Sequence, residues 1–360
     1  DRLGAGIIPF VTLYHWDLPQ RLQDEGGWAV RPTAEAFVEY ADVLSRHLGD
    51  RVTYWITHNE PSVVAHNGHL DGQHAPGIQD GTTAVQVSHH LLLCHGWSVP
   101  IIRQNNPGAQ VGISLNINLD VPASPSWADL QAQRRVDGAY YRWFLDPIYG
   151  RHYPADIVAE LIASGRLAPD GITFCQDGDL EVIAAPTDFL GVNYYQRQVV
   201  RNRAVPERKN LPQTVFPAPR NDTSWTEMGW EVYPDGLYQI LCRLHFEYRV
   251  PRIYVTESGC SYSDGPGESG RIHDRRRINF LRAHFDAARR AMDQGVPLAG
   301  YFVWSLLDNF EWAHGYSQRF GIVWVDFETQ RRILKDSALW YKQVIAENGF
   351  NEHEPDLDTD

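Results

Sequence analysis

The sequence predicts an α/β chain whose architecture is the parallel (β/α)8 TIM-type barrel, here incomplete, with about six βα units. Three observations point there. Buried β-runs alternate with stretches of helical period along most of the chain. Its 360 residues are too many for a small domain but suit one such barrel, and no linker separates two halves. Two glutamates stand directly after β-runs, where the βα loops of these barrels place reactive groups.

The elements follow in order. Ile7 to Tyr14 reads as a buried strand. Phe37, Tyr40, Ala41, Leu44 and Leu48 then fall at helical spacing, with Pro32 ahead and Gly49 behind as start and stop signals. Val52–Thr57 is the next strand and Thr83–Asn105 the next helix. Further strands are expected at Gln110–Ile117, Asp188–Tyr195, Arg252–Thr256 and Leu298–Ser305. The remaining helices are expected at Trp127–Phe144, Asp235–Glu247, Asp274–Asp293 and Ser337–Asn348. Residues 1–350 form one barrel domain in this reading, and 351–360 an acidic tail. Arg197–Arg220, with its prolines and basic residues, reads as a long solvated loop or the rim of a binding site.

A closed barrel of this type needs eight units. The chain begins almost directly in a strand, so the first two units are expected to be absent from it. Six parallel strands would leave two open edges and an interior open to water. Weak activity or poor solubility of the chain alone is the expectation, with pairing of two chains across those edges as the alternative.

Composition removes other classes. Hydrophobic residues make up 43% and charged residues 21%, so a core can form. A net charge of −13 argues against a nucleic-acid partner. No apolar run approaches the length of a membrane span, and the first residues do not resemble a signal peptide. Cys94, Cys175, Cys242 and Cys260 form no C-x-x-C pair, which disfavours a zinc ribbon or a disulfide scaffold. A cytoplasmic protein is expected.

The chemistry is expected at Glu60, in Trp55-Ile56-Thr57-His58-Asn59-Glu60-Pro61, and at Glu257, in Ile253-Tyr254-Val255-Thr256-Glu257-Ser258-Gly259. Alone, either could be a strand-end ion pair. As a pair at one level of one barrel they suit glycosidic cleavage, which needs a carboxylic acid on the leaving oxygen and a carboxylate on the opposite face. Groups suited to a polyol surround them: His15 and Trp16, Asn59, Asn193 and Tyr195, and Trp304, Glu311 and Trp312. Each tryptophan could instead pack a core. Several at strand ends favour sugar stacking.

Together, Thr57-x-Asn59-Glu60-Pro61, Thr256-Glu257-x-Gly259, Tyr14-His15-Trp16-Asp17-Leu18-Pro19, Asn193-Tyr194-Tyr195 and the stretch from Gly300 to Asp326 resemble glycoside hydrolase family 1, the β-glucosidases and their relatives. The resemblance covers about residues 5 to 348. It implies a retaining enzyme acting on β-D-glucosides and some β-D-galactosides or β-D-fucosides, with no cofactor or metal. Its substrates would be aryl glucosides or cello-oligosaccharides, unphosphorylated because of Glu311 and O-linked because the acid/base is a glutamate. By that resemblance Glu60 is the acid/base and Glu257 the nucleophile. His15, Asn59, Glu311 and Trp312 hold the glycone, and Trp304 lies beneath it. Tyr195 orients the nucleophile, with Asn193 nearby. Trp230 faces the aglycone, and Phe320 the sugar's far edge.

This chain departs from the family at His58, usually aliphatic, and at Ser258, usually asparagine. The family's N-terminal units also carry a glutamine on the glycone and an arginine beside the nucleophile. Without that arginine the pKa of Glu257 should sit higher.

Two rival readings remain. His66-Asn67-Gly68-His69 has metal-ligand spacing but no third ligand at a matching offset. A sugar-binding pseudoenzyme or inactive barrel fragment would keep the aromatic floor and lose turnover.

Overall fold

The computed structural model describes residues 3–205, 215–221 and 224–350. Its strands are, in chain order, β1 (Phe10–Tyr14), β2 (Tyr54–Asn59), β3 (Gln110–Asn116), β4 (Leu119–Pro122), β5 (Phe189–Asn193), β6 (Arg197–Val200), β7 (Ile253–Ser258), β8 (Leu298–Val303), β9 (Val323–Val325) and β10 (Arg332–Leu334). Six of them form one parallel sheet in the order β1-β2-β3-β5-β7-β8. These are the six strands expected from the sequence, each within a few residues. Val111, Ile113, Leu190, Val192, Ile253 and Val255 are fully buried, as parallel strands covered on both faces require.

The sheet curls. Phe10 on β1 and Phe302 on β8 belong to opposite edge strands, yet their ring centroids lie 5.0 Å apart. Phe10, Tyr54 and Phe189 each open their strand, and with Tyr254 they stack edge and face into an aromatic floor at the N-terminal end of the sheet. Gly112 makes room for it, since a Cβ there would meet the Phe189 ring and carbonyl at under 3 Å. With that end filled, the space left for a ligand is at the C-terminal ends of the strands.

Helices cover the outside, among them Arg31–Leu48, Gly81–Asn105, Pro234–Tyr248, Arg275–Asp293 and Asp336–Glu347. Gly81–Asn105 opens where the Asp80 carboxylate accepts the Thr83 backbone N–H at 2.7 Å. It is the most deeply placed of them: Leu91, Leu92, Leu93, His89 and His95 are all fully buried.

The stretch Trp127–Phe144 is not one continuous α-helix. Trp127–Asp137 passes into a π-turn at Gly138–Arg142 and then a helix at Trp143–Ile148. The turn falls at Gly138, where a Cβ would collide with Ile157, and it leaves Tyr141 and Trp143 both buried. Within Arg197–Arg220, β6 pairs with β4, while residues 206–214 and the acidic tail 351–360 lie outside the described residues. No helix among the described residues is long and apolar enough to cross a membrane.

Candidate active site

Glu60 sits where β2 becomes the helix Pro61–His69. The turn takes one residue: Glu60 has left-handed backbone geometry (φ 47), its N–H donates to the Ser114 carbonyl on β3 at 2.8 Å, and Pro61 supplies the first helical position. Trp16 (φ 80) and Trp312 (φ 44) are left-handed too. Such a conformation costs a non-glycine residue of order 1–3 kcal/mol and gathers where function holds it in place. All three side chains line the same cleft.

Glu257 lies near the end of β7, paired in the ladder with Asn193 on β5. Its Oε2 accepts the Tyr195 hydroxyl at 2.6 Å. The Asn193 amide links the two glutamates. Its Oδ1 accepts from the Ser114 hydroxyl at 2.9 Å and the Thr256 hydroxyl at 2.6 Å. Its NH2 is thereby turned toward Glu60 Oε1 at 2.7 Å and Asn59 Oδ1 at 3.0 Å. With Asn59 Oδ1 occupied, the Asn59 NH2 faces His15 Nε2 at 3.1 Å. That nitrogen must accept, so the His15 proton resides on Nδ1. Burial agrees, pulling the His15 pKa down to about 4 and keeping the ring neutral.

The carboxylates are desolvated together. Burial raises Glu60 to about 7 against the opposing amides of Asn193 and Asn116, and Glu311 pushes the same way as burial. Glu257 is raised well above its ordinary value, first by burial and then by the Glu60 charge, with the Tyr195 hydroxyl opposing. Glu311 is raised as well, chiefly by burial. Among the described residues, no lysine or arginine figures among the groups acting on these three carboxyls. The high position of Glu257 follows from its burial and from the Glu60 charge. The expected flooding of the site is not seen: Glu60 is 4% and Glu257 8% exposed, because the surrounding amides and rings shield them even in an open sheet.

The cleft, about 270 Å³, is lined by both glutamates with His15, Trp16, Tyr195, Trp230, Trp304, Glu311, Trp312 and Phe320. Of the residues expected to hold sugar, Asn59 and Asn193 do not line the cleft: their amides are taken up by His15, Glu60 and each other, and they stand behind it as hydrogen-bonding supports. Trp16 and Trp312 lie 4.7 Å apart, and Trp16 Nε1–H donates to the Asn59 carbonyl at 2.9 Å. The backbone at Trp304 is reached through Gly259: a Cβ there would fall onto the Trp304 carbonyl oxygen.

Sequence reasoning missed Asn116, Asn118, Gln73 and His74, which also line the cleft. Asn116 does follow the strand-end pattern, closing β3 as Asn193 closes β5, and Asn118 lies in the short link to β4. Gln73 and His74 come from an irregular loop that gives no such signal.

Residues 2–350 match the sequence profile of glycosyl hydrolase family 1. The chain belongs to that family. It is 44% identical to beta-glucosidase A of Acetivibrio thermocellus over 348 residues, covering 97% of this chain and 76% of the relative. It is 41% identical to the bifunctional beta-D-glucosidase/beta-D-fucosidase of Bifidobacterium breve, covering 97% of this chain and 77% of the relative. In structure it is similar to the family 1 β-glucosidase of Thermotoga maritima, with a TM-score of 0.88 at 44% identity, over 98% of this chain and 76% of the other. That protein has been seen in complex with glucoimidazole and with deoxynojirimycin.

In this family 1 chain, the position of His58 is explained by packing. The ring is fully buried, stacked on Phe37 at 4.4 Å, with Nε2 3.1 Å from Cys94 Sγ. It points away from the cleft. His69 Nδ1 lies 2.8 Å from the Val64 carbonyl of its own helix, while the His66 ring packs on Tyr140 at 4.2 Å. His89, Cys175 and Asp179 do converge closely enough to hold a metal ion. The cation there is already present, since Arg31 forks onto both Asp179 oxygens at 2.8 and 2.9 Å.

Proposed function

We propose that this chain is a retaining β-glycosidase, a β-glucosidase that also accepts some β-D-galactosides or β-D-fucosides. The observation that carries the reading is one cleft holding two buried glutamates with different partners. Glu257 accepts from Tyr195, and a hydrogen bond to a carboxylate favours the ionised, nucleophilic form. Glu60, raised to about 7, retains a proton to donate at neutral pH.

In the first step a Glu257 oxygen attacks the anomeric carbon from one face. The glycosidic C–O bond breaks, and the Glu60 proton moves to the leaving oxygen. In the second, Glu60, now a carboxylate, takes a proton from water as that water attacks the same carbon. The ester to Glu257 breaks, and the sugar leaves with its configuration kept. No cofactor enters either step. The Glu311 carboxylate at the glycone edge can accept from two sugar hydroxyls and would repel a phosphate dianion, which favours unphosphorylated glucosides.

Support for the substrate class comes from the names of the relatives, β-glucosidases and a β-glucosidase/β-fucosidase. We further propose that two βα units lie N-terminal to this chain in the complete barrel; support comes from the six sheet strands among the described residues, where a closed barrel has eight. A cytoplasmic location is favoured by the four unbridged cysteines, two of them buried.

A 2-deoxy-2-fluoroglucoside with an acidic leaving group tests the assignment. It should form a stable glycosyl ester, and peptide mass analysis should place the added sugar on Glu257. A label on any other residue overturns the nucleophile assignment.

A further inference from the structure

Four of the cleft residues, Trp304, Glu311, Trp312 and Phe320, lie on one excursion between β8 and β9. The base of this loop is closed by a single carboxylate. Asp308 Oδ1 accepts from the Gly321 N–H at 3.0 Å and from Lys335 Nζ at 3.2 Å. Its Oδ2 accepts from Arg319 Nη1 at 2.6 Å and from the Val325 N–H at 3.3 Å. The Asp308 and Lys335 side chains are both 0% exposed. Lys335 comes from a separate segment, just after β10, and its own N–H donates to the Ile322 carbonyl at 3.0 Å. Neither group touches the cleft.

We propose that Lys335, acting through Asp308, is a positioning residue for glycone binding: the buried ion pair holds the loop that carries Glu311 and the indoles. This rests on the glycosidase reading above. Removing Lys335 takes from the buried Asp308 one of its two cations and leaves Arg319 to hold it alone, which loosens the segment that Lys335 was holding. Four hydrogen bonds converge on Asp308, so the loss is transmitted to both ends of the loop.

The groups facing Lys335 set a signature that a purely structural role would not give. Burial, with Arg277 next, lowers the Lys335 pKa to about 8, against Asp308 and Asp274, which raise it. Arg319 and Cys260 complete its charged and titratable surroundings. The unfolded chain holds this proton up to the ordinary lysine range, so between about pH 8 and 10.5 it binds more protons than the folded one. The contribution of this group to stability therefore rises with pH over that window. The grip of the loop on sugar should fall over the same window, as Asp308 loses its ammonium partner.

The test uses phenyl 1-thio-β-D-glucopyranoside, uncharged and resistant to cleavage, with affinity read by calorimetry and stability by melting temperature at about pH 7 and 9.5. Lys335→Met should weaken binding about tenfold at the lower pH, the scale of a lost charge-assisted hydrogen bond. It should also flatten the pH dependence relative to the unmodified chain, whose affinity should drop at the higher pH without a matching loss of melting temperature. Glu60, Glu257 and Glu311 titrate in both proteins, so the difference isolates Lys335. Asp308→Asn, of the same shape, should reproduce the loss if Lys335→Met does not fold. Unchanged affinity in the folded variants, or affinity and melting temperature moving together, overturns the proposal. Absence of binding by the unmodified chain at either pH would instead remove the glycosidase reading, and the positioning role with it.

Discussion

Tyr195 donates its phenolic proton to Glu257 at 2.6 Å, and it can only donate. Burial and the neighbouring glutamates hold its own pKa well above the ordinary value, so the ring stays a neutral phenol. Its bond to Glu257 is the largest of the contacts that favour the ionised nucleophile, against the burial and the Glu60 charge that raise it. Tyr195→Phe should push the Glu257 pKa higher still and lower kcat/KM by about 10- to 150-fold, the worth of a hydrogen bond to a charged group. The pH–rate profile separates this from general damage: its acid limb should move to higher pH. An unmoved limb with reduced rate would leave Tyr195 a packing role only.

Glu60 and Glu257 titrate as a coupled pair, both raised by burial, Glu60 also by the Glu311 charge and Glu257 by the Glu60 charge. The active form has one proton on the pair, and it is reached only as pH rises to about 7. The acid limb of kcat/KM should therefore fall near neutrality in this chain. Joining it to an N-terminal segment that places an arginine near Glu257 should shift that limb downward, since a nearby cation favours the ionised form. The profile of the two proteins on one aryl β-glucoside checks this. An acid limb already in the ordinary carboxylate range would contradict the electrostatic picture.

The two glutamates should fail differently. Glu257→Ala removes the attacking oxygen, and turnover should vanish for all leaving groups. Glu60→Ala removes proton donation, which is worth on the order of 10²–10⁴-fold and matters most for poor leaving groups. Acidic phenol glycosides should still give a burst, and azide should restore turnover as the β-glycosyl azide. Equal loss on every substrate without azide rescue would take Glu60 out of the acid/base role.

How much of this was legible beforehand follows from where each signal resides. The six sheet strands are written as largely apolar runs, because the central strands of a parallel sheet bury both faces. Glu60 and Glu257 were visible because strand, then carboxylate, then Pro61 or Gly259 is a short-range pattern. The orientation of the Asn193 amide was not legible, since Ser114, Thr256, Asn59 and Glu60 come from three other strands and their ends. The break at Gly138 was hidden by an otherwise regular helical period. The role of Asp308 also depends on Lys335, which meets it only in the folded chain.

Acid should weaken the fold through its buried histidines. Burial lowers His15, His66, His89, His95 and His284 to about 4, and His58 well below its ordinary value. In the unfolded chain each takes a proton near pH 6.5. The folded pKa values are depressed, so the stability is fully present above about 6.5 and is lost as pH falls toward 4. Glu60, Glu257 and Asp120, raised by burial, gain stability as pH falls through the same window, but the six histidines outnumber them, so denaturant midpoints should drop on balance from about pH 7 to 5. Histidine ring protons followed by NMR separate the two contributions: rings that titrate near 6.5 in the folded chain would mean that they are solvated.

The stereochemistry of the first product tests the central claim most directly. An aryl β-glucoside incubated with the protein in heavy water can be followed by proton NMR at the anomeric position, before mutarotation mixes the forms. Two successive inversions at one carbon, by Glu257 and then by water activated at Glu60, must release β-glucose first. Initial appearance of α-glucose would mean a single displacement by water and would contradict the assignment of Glu257 as nucleophile.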